Sequence, residues 1–198
     1  MNKDDLLLRI ADTAYNVGFG AKKHFATYDI VENAPRWIGF ISLAVGVFAL
    51  IVDVLATKHI SAILIVLGIS GLLIYSYDDT KLNYEKNGKL LTQLFNDLKS
   101  LYFAVKSSNP KDYSEEIYKL TEIESTYYSS CISKQIFFSD WYAHYKFFWQ
   151  HQIYWIDEQK HFRFWRDRMP LSFVVFCVSA LVVILALIIC YGRLKGLI

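Results

Sequence analysis

Two apolar runs decide the fold: residues 37–55, WIGFISLAVGVFALIVDVL, and residues 60–77, ISAILIVLGISGLLIYSY. Each is near the ~20 residues a helix needs to cross the hydrocarbon core of a bilayer. Only Ala56, Thr57, Lys58 and His59 lie between them. So short a link returns the second run antiparallel to the first, as a transmembrane hairpin over residues 37–77. A third run, residues 171–192, carries no charged side chain and predicts another span.

Of the 198 residues 54% are hydrophobic and 20% charged. Because the three runs hold much of the hydrophobicity, the remainder reads as ordinary polar helical segments. The expected fold class is therefore all-α: a helical integral membrane protein with a transmembrane hairpin, a cytoplasmic helical bundle and a C-terminal third transmembrane helix. The boundaries follow as an N-terminal amphipathic cytoplasmic helix (1–36), the hairpin (37–77), a cytoplasmic helical region (78–168) and the last span with a short tail (169–198). A net charge of +2 is too small to make nucleic acid a partner, and none is expected. Cys131, Cys177 and Cys190 give neither a disulfide framework nor zinc spacing. The first run begins behind a long polar helix, which excludes a cleavable signal peptide.

On the N-terminal side, Leu7, Ala11, Ala14, Gly18, Ala21, Phe25 and Tyr28 alternate at steps of four and three, so residues 4–31 predict one amphipathic helix. Its small middle suits close approach of another helix, either as a surface or bundle helix or as a seam between subunits. The opposite face carries Arg9, Asp12, Lys22 and Lys23. Asn33 to Pro35 is expected to end the segment, and Arg36 and Trp37 to anchor the first span at the headgroups.

Within the hairpin, Gly39, Ser42, Gly46 and Ala49 fall on one side of the first span, and Gly68 and Gly71 lighten the second. Lipid supplies no hydrophobic force between helices, so small residues that let backbones meet are candidate packing or pore-lining positions. Asp53 is the one charge, read either as a helix-end residue reaching water or Lys58, or as a pore-mouth charge. Lys22, Lys23, Arg36, Lys81, Lys86 and Lys89 flank the hairpin while the link offers Lys58 alone. The positive-inside rule then places the N-terminus and the central region on the cytoplasmic side, with Arg193 and Lys195 outside.

Beyond the hairpin, Leu91, Leu94, Phe95, Leu98, Leu101, Tyr102 and Val105 mark an amphipathic helix, with Asn87-Gly88 a candidate kink. Asn109-Pro110 suits the start of the next helix, which carries Tyr113, Ile117, Leu120, Ile123, Tyr127 and Cys131 on one side. From Ser133 the near-heptad spacing of Phe138, Trp141, Tyr145, Phe148, Gln152, Trp155 and Phe162 predicts one long helix running to the membrane. Arg163, Trp165, Arg166 and Arg168 form the interface anchor before Pro170 and the third span.

Asp140, His144, His151 and Glu158 would share a face of that long helix. A divalent-ion site, a polar face lining an oligomer's vestibule and a pH-sensitive cluster are all open readings. Two turns, about 10 Å, separate the histidines, too far to ligate one ion from a straight helix. No metal and no cofactor is expected. The aromatics from 141 to 165, beside Lys146, Lys160 and Arg163, serve core packing and membrane anchoring or stack a nucleobase. Phosphate-binding loops, nucleophile elbows, zinc motifs and the Arg–His spacing of HEPN ribonucleases are missing, so no enzyme and no catalytic residue is expected.

The segment Ala14-Tyr15-Asn16-Val17-Gly18-Phe19-Gly20-Ala21-Lys22-Lys23-His24-Phe25, followed by two close spans with small residues and then polar helices, resembles the SLATT family over residues 5–165. That resemblance implies a bacterial two-span effector of anti-phage systems, encoded beside nucleotide second-messenger synthases, nucleotide-sensing domains or reverse transcriptases. It implies a homo-oligomer whose spans surround a conduit and whose cytoplasmic helices receive a nucleotide or a partner protein of the defence system. The third span departs from the family's simple topology. Two readings compete with a pore-forming effector: a membrane-tethered scaffold recruiting a soluble partner, and an enzyme built on Asp140, His144 and His151.

Overall fold

Asn2 opens the first helix by accepting the Asp5 N–H at 2.8 Å, with Asp4 and Asp5 placed where the macrodipole favours them. The structure, a computed structural model, describes residues 1–109 and 112–194, with side chains to 190. Its elements are α1 (Lys3–Phe48), α2 (Lys58–Tyr75), α3 (Lys81–Ser107), α4 (Ser114–Ser130), α5 (Ser139–Gln150), α6 (Tyr154–Lys160), α7 (Phe164–Asp167) and α8 (Leu171–Leu194). No strand occurs among the described residues, and the protein is an all-α membrane protein. Met1–Lys160 forms one compact unit and His161–Ile198 a second.

In the first unit α1 is the spine. Leu6, Ile10, Ala11, Ala14 and Val17 are fully buried, packed chiefly against α3, whose Leu91, Leu98, Tyr102 and Val105 are buried in turn. Each Leu, Ile or Val among them contributes about 1.5–3 kcal/mol when fully removed from water. The small-residue seam is therefore filled from within the chain. The polar side of α1 is paired across the bundle: Arg9 with Glu124 of α4 at 2.6 Å, Asp12 with Lys160 of α6, and Lys23 with Asp140 at 2.7 Å and Asp29 with Lys146, both of α5.

The expectation that Asn33 to Pro35 ends this helix is overturned, because α1 runs unbroken through Pro35. Proline interrupts a helix by withholding one N–H and crowding the preceding turn. Here the turn is braced from outside. Asn33 Nδ2 donates to the Asp29 carbonyl at 3.0 Å, and Glu32 pairs with Arg36 and, at 2.9 Å, with Lys81 of α3.

The first span also differs. Its helix stops at Phe48, and residues 49–57 turn through a 3-10 segment, Asp53–Ala56. Residues 37–48 cover about 18 Å as helix, against about 27 Å for α2 and a hydrocarbon core of about 30 Å. β-Branched Ile51, Val52 and Val54 around Asp53 disfavour helix, and Val52 is extended. Two helices, α2 and α8, are long and apolar enough to cross a membrane.

Three further boundaries shift. Gly88 kinks nothing; it makes room, since a Cβ there would stand 3.0 Å from the Phe25 ring. The fourth helix starts at Ser114, beyond Asn109, while Pro110 lies outside the described residues. The long helix expected from Ser133 is three short ones. Phe138 (φ 69°) and His161 (φ 49°) adopt left-handed backbone, and His151 is extended. Aromatic residues hold helix weakly, so the same spacing packs better when cut. Phe147, Trp155 and Ile156 are all buried in the α1–α3 unit by this folding back.

The second unit is simpler. Arg163 caps α7, its N–H donating to Asp167 Oδ2 at 2.9 Å. Pro170 immediately precedes α8 and its carbonyl accepts the Phe173 N–H at 3.0 Å, so the proline marks the helix start. Lys195 of the tail lies outside the described residues, as does the side chain of Arg193.

Candidate functional site

No residue of α2 is fully buried within the chain. Leu43, Leu50 and Leu72 are 67%, 86% and 72% exposed, a surface that water would not tolerate and a bilayer covers. Its glycines divide into two sets. A methyl group on Gly71 would touch Ile38 at 3.7 Å, so Gly71 packs one arm against the other. At Gly39, Gly46 and Gly68 it would meet nothing within 4 Å. Those three backbones are open to lipid or to another copy.

The remaining hairpin residues fall at the ends or between the arms. Ser42 Oγ is buried with no hydrogen-bond partner among the described residues. Ala49 caps α1, donating its N–H to the Val45 carbonyl at 2.9 Å, and Asp53 is exposed in the link. At the root, Trp37 is 63% exposed beside Phe40, and Arg36 leans back on Glu32. Lys81, held by Asp78 at 2.7 Å and by Glu32, has its ammonium stabilised by both carboxylates. Glu32 is kept ionised, first by the Lys81 hydrogen bond and then by Arg36. This cluster ties α1 to α3 where the hairpin emerges. In the second unit, Trp165 is 81% exposed on α7, with Arg166 against Asp167 at 3.1 Å and Arg168 closing the helix.

Asp140, His144, His151 and Glu158 do not share a face, because the helix carrying them is broken after Gln150. Asp140 pairs with Lys23, and Glu158 of α6 accepts from Lys106 at 2.6 Å and Tyr102 at 3.0 Å. His144 stacks near Phe148, their centroids 4.6 Å apart, and His151 sits 4.7 Å from the Phe95 ring. Among the described residues no group of three or more His, Cys, Asp or Glu is placed to hold a metal ion.

Two histidines are instead built in as neutral groups. Spacing alone does not reveal His24, which is 3% exposed. Its Nδ1–H donates to the Gly20 carbonyl at 2.8 Å while Nε2 accepts the Ile132 N–H at 3.2 Å, an arrangement only the neutral ring satisfies. Burial lowers its pKa, as does Lys23, against the Gly20 bond. Burial, with Lys22 and Lys99 near, pushes His151 down to about 4.

Groups with depressed histidine pKa values stabilise the fold fully above pH 6.5 and lose that contribution as pH falls from 6.5 toward the folded-state value. Between pH 7.5 and 5.0, where most carboxylates stay ionised, His151 should account for a loss of about 1 kcal/mol after solvent screening, or ~2–4 °C in Tm. Thermal unfolding of the detergent-solubilised chain checks this; His151→Leu should flatten the profile, and an unchanged profile refutes the assignment.

Comparison with curated proteins and with solved structures gives no match. Residues 1–177 match SLATT domain 6, described as the SMODS and SLOG-associating 2TM effector domain 6. With the hairpin, the braced root and the helical bundle all inside that stretch, the chain belongs to the SLATT family of two-transmembrane effector domains.

Proposed function

We propose that the protein is the membrane effector of a bacterial anti-phage, abortive-infection system: copies assemble through their hairpins and, when triggered, permeabilise the cytoplasmic membrane. The observation that carries this is the open glycine set, Gly39, Gly46 and Gly68, on spans that bury almost nothing within one chain. Such backbones support close helix contact between subunits. The family match ends shortly after α8 begins, which supports the hairpin as the two-span effector unit and α8 as an added anchor. The lysines flanking the hairpin favour a cytoplasmic N-terminus and bundle. The family's association with SMODS and SLOG domains supports a nucleotide second messenger or a partner protein as trigger. The chain's own role is non-enzymatic.

Expression in bacterial cells beside its native neighbouring genes, followed with a potential-sensitive dye during infection, tests the reading. Depolarisation that requires both the trigger and this chain is expected. A potential that stays intact while growth stops would remove permeabilisation and favour a membrane-tethered scaffold.

A further inference from the structure

Beside the last two turns of α2 lies a cavity of about 490 Å³, lined by Leu73, Ile74 and Tyr77, by Ile30 of α1, and by Phe137 and Phe138 of the α4–α5 connection. Its wall is mostly apolar, and Lys134 is the one charged residue lining it among those described. The Lys134 ammonium stands 4.8 Å from the Tyr77 ring centroid and forms no ion pair among the described residues.

The connection is held in this position by buried groups. The Lys134 carbonyl accepts the hydroxyl of Tyr84 at 2.5 Å, Gln135 Oε1 accepts that of Thr27 at 2.5 Å, and Ile132 is bound to His24. Ile136 is buried, yet Phe137 and Phe138 are 74% and 48% exposed. Phe138 also has φ 69°, a conformation a bulky aromatic adopts when its surroundings impose it. A segment pinned on its inner side and left-handed at Phe138 presents its two rings outward. Leu73 of α2 lines the same cavity, and Leu72, Leu73 and Tyr75 are 72%, 66% and 64% exposed.

The geometry points to a lipid-docking wedge. Phe137 and Phe138 enter the bilayer surface beside α2, and Lys134 holds the phosphate of an anionic phospholipid whose acyl chain fills the cavity. An apolar wall continuous with a spanning helix fits the chain, and a cation at the rim with no carboxylate lining the cavity fits the headgroup. The site does not depend on whether the assembly conducts.

The test is native mass spectrometry of the delipidated full chain in detergent, titrated separately with phosphatidylglycerol, phosphatidylcholine and inorganic phosphate. Phosphatidylglycerol should bind at least about fivefold more tightly than phosphatidylcholine, the effect of one lysine at a membrane surface. Lys134→Ala should erase that preference and keep phosphatidylcholine binding. Phe137→Ser should weaken both lipids, while Lys99→Ala on α3 should change neither. Thermal unfolding identifies any variant that has not folded; Lys134→Gln is the substitute for Lys134→Ala, and Phe137→Leu, which should weaken both lipids less, for Phe137→Ser. Equal binding of the two lipids by the native chain, a preference that survives loss of Lys134, or competition by free phosphate each overturns the proposal.

Discussion

Gly18→Leu should unfold or severely destabilise the first unit, lowering the thermal midpoint by ~6–12 °C for a loss of about 3 kcal/mol or more. A Cβ at Gly18 would stand 2.7 Å from the Phe95 ring and 2.9 Å from that of Phe147. Both rings are locked, Phe147 edge-on to Tyr15 at 5.5 Å and Phe95 against Trp155 at 5.5 Å. Neither can retreat without opening the seam between α1, α3 and α5. The matched control is Gly39→Leu, where the added side chain meets open space. Circular dichroism melts of both variants in detergent decide the matter; equal midpoints would show that the seam is slack.

Gly46→Leu and Gly68→Leu should leave that midpoint within about 1 °C of the native value, because a Cβ at either position meets nothing within 4 Å. Their expected effect lies on assembly. If copies meet at these backbones, a leucine forces the helices apart, and a loss of about 1.4 kcal/mol per contact reduces association tenfold. Triggered depolarisation should then fall by an order of magnitude or more. Ala186→Leu in α8 is the comparison and should retain activity. Comparable loss at all three positions would deprive the hairpin of any special part.

The sequence makes α2, α8, the buried stripe of α3 and the small-residue stripe of α1 readable, because each rests on an uninterrupted period that one helix can satisfy. Leu91, Leu98 and Tyr102 are buried as their spacing requires. Where several short helices share one period, the same reasoning misleads. Residues 133–162 keep their aromatic spacing across breaks at His151 and His161, since α5 and α6 fold back on α1 and α3 instead of continuing past them. Pro35 shows the reverse: a local stop signal overruled by Glu32 with Arg36, an i,i+4 pair, and with Lys81, which lies 49 residues further along the chain and so does not read as part of the same unit. The site was legible only in part. The glycines of the hairpin are visible in the sequence, but which of them face outward depends on the crossing of two helices. The exposed Phe137 and Phe138 depend on one left-handed residue that no pattern announces.

The unbroken run of α1 from Lys3 to Phe48 makes it a drive shaft about 69 Å long. A flexible linker would absorb torque between bundle and bilayer, whereas a hydrogen-bonded helix passes it on. Rotating the bundle end by about 30° swings groups about 5 Å off the axis by ~2.5 Å at the far end as well. Gly39 and Gly46 would sweep through that arc together, changing which neighbour their bare backbones confront. The Glu32–Lys81 ion pair, which joins α1 to α3 at the hairpin's root, is a contact that such a rotation would have to strain.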